Sequence, residues 1–383
     1  MAKKSTAAPA AAPAAQPEGA AVQAPPPERR FAAELDALRA EDAGRRPPGW
    51  LLSPQQVVRF IVGGGSAGGV EISAKFVGDR ALVERAVVTL AGQRGLLLVG
   101  EPGTAKSMLS ELLAAAISGT SALTVQGTAG TTEDQLRYGW NYAALLAQGP
   151  SPAALVPSPV LQAMRRGALA RVEEVTRCLP EVQDALVSIL SDRRLAVPEL
   201  GDEGVVEAAP GFNLIATANL RDRGVSEMSA ALKRRFNFET VPPIADLQLE
   251  VDLVHRQTVA AVQRAGEALP VDLQVLTALV TAFRDLRAGR TDEGWAVERP
   301  ATVMSTAEAV AASTSLVLQA GWFPERGGPA SLLPEHLLGV VLKDEPKDRA
   351  RLIAYFDGPV KRRAERDPTW ERVAAARGAL IDG

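Results

Sequence analysis

The sequence predicts an α/β domain built on a parallel sheet, followed by a helical domain and preceded by a disordered tail. Three observations predict it. From Phe76 to about Thr240, short apolar runs alternate with amphipathic stretches, the pattern of a parallel sheet covered by helices on both faces. One of these runs, Leu96-Leu97-Leu98-Val99, opens directly into a glycine-rich turn ending in Lys106-Ser107. Beyond Pro242-Pro243 the strand signals fade, and helical stretches separated by Gly or Pro take over.

Taken in order, residues 1–30 are rich in Ala, Pro and Gln, and prolines interrupt every apolar stretch. Such a segment reads as a disordered tail, and it lacks the unbroken apolar region of a signal peptide. Residues 31–70 read as a helical extension and linker. A charged helix from Arg29 to Ala43 is stopped by Arg46-Pro47-Pro48-Gly49, a short helix runs from Ser53-Pro54 to Phe60, and Gly63 to Gly69 form a flexible join. Residues 71–242 form the α/β core. Its expected helices are Val83 to Gly92, Lys106 to Ser118 and Pro180 to Ser191, and its expected strands are Leu96 to Val99, Ala122 to Gln126, Ala168 to Val172 and Asn213 to Asn219. A hairpin is expected around Gly201-Asp202-Glu203-Gly204. Residues 243–383 read as a helical lid and C-terminal helices, with Leu247 to Ala265, Val271 to Ala288 and Thr302 to Ala320 the clearest, and further segments between Pro334 and Ile381.

Composition bounds the function. The chain has 383 residues, 46% of them hydrophobic and 23% charged, the balance of a globular protein. A net charge of -3 with both signs interspersed and only 4% aromatic residues argues against nucleic-acid work. The single cysteine, Cys178, excludes an internal disulfide, and the two histidines, His255 and His336, are too few for a zinc site. No run of about 18 apolar residues occurs, so no membrane span is expected and a cytoplasmic address is.

The turn Gly100-Glu101-Pro102-Gly103-Thr104-Ala105-Lys106-Ser107 fits the phosphate-binding pattern G-x-x-x-x-G-K-[ST] with one departure, Ala105 in place of the last glycine. In that pattern backbone N–H groups approach a polyphosphate, the lysine meets the β- and γ-phosphates, and the hydroxyl ligates Mg²⁺. The helix that follows through Met108 points its N-terminal dipole at the phosphates. ATP hydrolysis further needs an acid for the cation, an acid to polarise water, and positive charge for the transition state. Glu173 and Glu174 follow an apolar run and so emerge where α/β sheets bind ligands. Glu173 is the candidate for Mg²⁺ and Glu174 for the attacking water. Asn219 ends another strand, and Lys233-Arg234-Arg235-Phe236 supplies cations able to reach a neighbouring subunit's γ-phosphate.

In order and spacing these segments resemble the AAA+ ATPases, and within them the MoxR-like branch, over about Phe76 to Ala312 and most strongly from Phe76 to Phe238. Gly100 to Ser107 resembles Walker A. Val172-Glu173-Glu174-Val175-Thr176-Arg177 resembles Walker B, with Glu173 where aspartate is usual and Arg171 inside the apolar run. Ala216-Thr217-Ala218-Asn219 resembles sensor 1, and Lys233-Arg234-Arg235-Phe236 the arginine-finger box, Arg235 being the better match. Phe76-Val77-Gly78 resembles the segment beside the adenine. Glu298-Arg299-Pro300 opens an expected lid helix and makes Arg299 the sensor 2 candidate. Leu145 to Val160 and Arg194 to Ala208 fall where this branch carries its helix 2 and pre-sensor 1 inserts.

The resemblance implies a Mg²⁺-dependent, ring-forming ATPase, a homo-hexamer, that acts as a chaperone-like remodeller of a client protein, often one with a von Willebrand factor A domain. Two alternatives are a nucleotide-gated scaffold or switch with little turnover, tolerable given Glu173 and Arg171, and a chelatase-like motor subunit.

Overall fold

The computed structural model describes residues 24–219, 227–343 and 345–382. Most of the expected disordered tail, residues 1–23, lies outside them. Five parallel strands make the central sheet: β1 (Gly95–Val99), β2 (Thr124–Gln126), β3 (Leu169–Glu173), β4 (Asn213–Ala218) and β5 (Phe236–Thr240), in the order β5-β1-β4-β3-β2. Ile215 sits opposite Leu96, and Ala216 opposite both Leu97 and Val172. This register brings Val99, Glu173 and Ala218 to one edge of the sheet, where the loops that follow them converge.

All five residues of β1 are buried, as a strand covered on both faces requires. Their period-2 alternation divides the core. Leu96 and Leu98 pack with the helices α3 (Pro54–Val62), α4 (Arg80–Ala91) and α5 (Lys106–Ser118). Leu97 and Val99 face the opposite cluster, with Leu161, Leu186 and Leu214. Each fully buried leucine contributes about 2 kcal/mol of burial free energy. Gly119, at φ 72°, stops α5 where only glycine turns cheaply.

A third core lies in the lid, where Leu247–Arg264, Leu273–Ala288 and Thr306–Trp322 bury Val254, Phe283 and Leu316 with the later helices. Its organising charge is Glu250, which is fully buried and accepts from Arg284 (2.9 Å), Arg287 (3.0 Å) and Thr306 Oγ1 (2.6 Å). Arg284 also donates to the carbonyls of Ile244 and Ala245, which tie the lid to the segment leaving the sheet.

Several sequence expectations need correction. The helix expected from Arg29 to Ala43 is two, α1 (Pro27–Arg30) and α2 (Ala32–Glu41), because the Phe31 ring at the break turns in against Phe60, edge to face at 6.0 Å. The join from Gly63 to Gly69 includes a short pairing of Ser66–Ala67 with Val70–Glu71. β5 and the antiparallel pair Tyr138–Trp140 with Leu155–Pro157 were not anticipated as strands. The expected hairpin is present as Arg194–Ala196 against Val205–Glu207. The lid helix expected from Thr302 begins at Thr306, where Ser305 and Glu308 form a reciprocal capping box.

Candidate nucleotide-binding site

The loop after β1 folds around its own lysine. Lys106 Nζ donates to the carbonyls of Gly100 (3.1 Å) and Glu101 (2.7 Å), and Thr104 Oγ1 donates to Glu101 O (2.9 Å). The ammonium is thereby buried beside the first turn of α5, whose leading N–H groups have no partner within the helix. Ala105 adopts the left-handed conformation, φ 66° and ψ 24°. The position wants glycine, and its methyl costs about 1–2 kcal/mol. At Gly103 (φ 75°) any side chain is barred, since a Cβ would lie 2.3 Å from Ser305 Cβ, on the residue that caps the lid helix.

The buried end of β3 explains the arginine in its apolar run. Arg171 and Glu173 share a face, two residues apart, and Arg171 Nη2 donates to Glu173 Oε1 at 2.7 Å. The same oxygen accepts from Ser110 Oγ (2.6 Å), while Oε2 accepts from Ser107 Oγ (2.7 Å) and Thr217 Oγ1 (2.7 Å). Arg171 also reaches Ser110 Oγ (2.9 Å) and the Ser121 carbonyl (2.9 Å). Burial pushes the Glu173 carboxyl up, but the Arg171 charge and the three hydroxyls outweigh it and hold the group below the usual glutamate value.

Glu174 stands just past the strand in the left-handed region, φ 52°. Its N–H donates to Thr217 Oγ1 (2.9 Å) and its carboxylate pairs with Arg177 Nε at 2.5 Å. Asn219 Oδ1 is buried and has no hydrogen-bond partner among the described residues. A buried acceptor left without a donor calls for a water or ligand group.

These groups surround a cleft of about 530 Å³. Its lining includes Pro102 to Met108, Glu174, Thr217 and Asn219. Val77, Pro242, Pro243, Ile244, Leu253 and Val310 supply apolar lining, and Arg30 and Thr306 complete the wall. The residues present fit a magnesium ion. Among the described residues no three His, Cys, Asp or Glu side chains cluster, so an all-protein cage is absent. Mg²⁺ instead takes one or two protein ligands and fills its octahedron with water and phosphate. Ser107 spends its proton on Glu173 and keeps its lone pairs for such an ion.

The other expected site residues are placed as follows. Gly100 and Glu101 shape the loop through their carbonyls, and Phe76 is buried and does not line the cleft. Arg299 does not open the lid helix: it is exposed, in the loop before Thr306, with its stem packed across Gly289, and it does not line the cleft. Arg234 and Arg235 line a separate cavity of about 450 Å³ with Arg94, Arg193 and Ser191. Arg235 is tied to its own subunit, donating to Ser191 Oγ (2.8 Å) and Ala231 O (3.0 Å). Arg234 is exposed, and its guanidinium has no ion-pair or hydrogen-bond partner among the described residues. Sequence reasoning missed Ser110, Thr217 and Arg30. Thr217 was signalled by its place two residues before Asn219, whereas Arg30 carried no signal beyond its charge.

Comparison with known proteins accords with this geometry. Residues 95–236 match the family described as AAA domain (dynein-related subfamily), and residues 248–381 match the YehL-like AAA+ ATPase C-terminal domain. YehL of Escherichia coli K12, an uncharacterized protein, is 47% identical over 365 residues, covering 95% of this chain and 99% of YehL. An uncharacterized protein of Staphylococcus haemolyticus is 34% identical over 144 residues, 37% of this chain and 53% of that protein. Among solved structures, NtrX of Brucella abortus in complex with ADP aligns with a TM-score of 0.49 at 15% identity, over 79% of this chain and 64% of NtrX. The YehL match is consistent with the MoxR-like placement. By its two domain matches and its end-to-end similarity to YehL, the chain belongs to the YehL-like AAA+ ATPases.

Proposed function

We propose that this protein hydrolyses ATP with Mg²⁺ in an assembled ring, a homo-hexamer, and uses the cycle to remodel or mature a client protein. The observation that carries the reading is the convergence, on one sheet edge, of the phosphate loop, the Ser107–Glu173 pair, Glu174 and the orphaned Asn219 Oδ1. In this reading the loop N–H groups and Lys106 bind the β- and γ-phosphates, Ser107 ligates the ion, and Glu173 supports the ion through the Ser107 hydroxyl it holds. Bound there, the ion neutralises phosphate charge and orients the terminal phosphate for in-line attack. Glu174 leaves Arg177 to accept a proton from the attacking water, and Asn219 positions that water or the γ-phosphate.

Ring assembly is supported by where the arginines stand. Arg234 and Arg235 line a cavity apart from their own subunit's cleft, so they serve phosphate chemistry only if a neighbour presents its nucleotide to them. Client contact is assigned to the two inserts. Tyr142 and Leu146 are 70% and 88% exposed on the helix between Tyr138–Trp140 and Leu155–Pro157, and Val205 is half exposed on the second hairpin. A client with a von Willebrand factor A domain comes from the MoxR-like resemblance; a cytoplasmic site of action is proposed from the composition, and the free, buried Cys178 suits a reducing compartment. A switch with little turnover finds its support in the Glu174–Arg177 pair, which engages the carboxylate of the catalytic acid until something displaces it.

Steady-state ATP hydrolysis across a range of protein concentrations tests the reading. The rate per subunit should rise with concentration, and both Lys106→Ala and Glu174→Gln should lower it at least 100-fold, Lys106→Ala by losing nucleotide and Glu174→Gln while still retaining it. Normal turnover in Glu174→Gln would remove that residue from the chemistry.

A further inference from the structure

The N-terminal extension reaches the nucleotide cleft. α1 is held at both ends: the Glu28 carboxylate accepts from Ser121 N–H (3.0 Å) and Ser121 Oγ (2.9 Å), and the Phe31 ring packs on Phe60 at 6.0 Å. Lys75 locks the second anchor, its Nζ lying 4.7 Å from the Phe31 ring and donating to Glu34 Oε2 at 2.5 Å. Between these anchors Arg30 lines the cleft, its guanidinium 5.1 Å from the Phe31 ring centroid. Two residues after Lys75, Val77 contributes to the apolar wall of the same cleft.

Arg30 and Lys106 are the two cationic side chains among the described residues that line this cleft. Lys106 belongs to the phosphate loop. The lid helix, which begins Thr306-Ala307-Glu308, brings no arginine, and Arg299 stays outside. A guanidinium on the wall of a cleft that also carries the apolar side chains of Val77, Ile244, Leu253 and Val310 is suited to pack its flat face on an aromatic base, as an ammonium is not.

Resting on the nucleotide reading above, we propose that Arg30 binds ATP in cis by stacking on the adenine ring, so that the N-terminal extension forms part of the nucleotide site. The extension is also connected to the acid cluster, because the Ser121 carbonyl, next to the group that Glu28 holds, accepts from Arg171.

Calorimetric titration of the full chain with ATP and, separately, with inorganic tripolyphosphate tests this. Arg30 is exposed, so Arg30→Ala should fold and lose no more stability than its exposed contact with Phe31 supplies. It should weaken ATP binding about 3- to 30-fold and leave tripolyphosphate binding unaltered. Arg30→Lys, which keeps the charge without the flat fork, should recover little. Lys106→Ala should lose both ligands. Unchanged ATP affinity in Arg30→Ala, an equal loss for tripolyphosphate, or full rescue by lysine would each overturn the adenine contact. No ATP binding by the unaltered protein would instead overturn the nucleotide reading itself, and the Arg30 contact with it.

Discussion

Arg171 and Glu173 show how two departures from an expected pattern explain one another. Glu173 extends one methylene beyond an aspartate, and its four acceptor positions are filled by three hydroxyls and the Arg171 guanidinium. Removing the cation would leave a buried carboxylate with hydroxyl partners alone. Arg171→Met should therefore cost about 3–5 kcal/mol in chemical denaturation. The pH dependence should also change sign. In the native protein the Glu173 carboxyl sits below its unfolded value, so its stabilisation is present above pH 4.5 and is lost as pH falls through the folded value. In Arg171→Met burial dominates and raises the carboxyl, so this group's contribution should improve as pH falls from 7 toward 4. Denaturation midpoints of both proteins across that range measure the difference. The phosphate loop and both acids were legible in the sequence because backbone geometry and strand ends leave local signatures. The arginine's role was not, since its partners Ser110, Ser121 and Thr217 come from other elements.

At the scale of elements, the lid depends on one buried charge. Glu250 joins three helices, and the same cluster holds Ile244 and Thr306, which line the cleft. Glu250→Ala would strand Arg284 and Arg287 in a mostly buried setting, at a cost of about 3 kcal/mol or more. It should also shrink the rise in melting temperature produced by ATP, because the lid wall of the cleft would loosen. A full ATP-induced rise in this variant would separate the Glu250 cluster from nucleotide binding. Helices such as Lys106–Ser118 were readable residue by residue, since a loop signature starts them and glycine stops them. The edge strand Phe236–Thr240 was not, because Asn237, Glu239 and Thr240 dilute its apolar signal and only pairing with Gly95–Val99 makes it a strand. The lid helix start was misplaced by four residues, because the Ser305–Glu308 capping box outweighs the proline-flanked start.

For the whole molecule, the account requires that one subunit's cleft be completed by another's arginines. Fold class and family were legible in the chain, since the alternation of apolar runs with amphipathic helices and the phosphate-loop signature are both local in sequence. The proposed sharing of the site rests, in the sequence, on an arginine pair near a phenylalanine, and the structure adds that the Arg235 guanidinium is tethered while that of Arg234 is unpaired among the described residues. The most direct measurement is ATP hydrolysis by Glu174→Gln, by the double variant Arg234→Ala/Arg235→Ala, and by an equal mixture of the two. Each alone should be nearly inactive. In mixed rings an intact cleft would meet an intact arginine pair at about a quarter of interfaces, so the mixture should recover up to about a quarter of normal turnover. Activity in the mixture no higher than the mean of the two variants, under conditions where both assemble, would contradict a site shared between subunits.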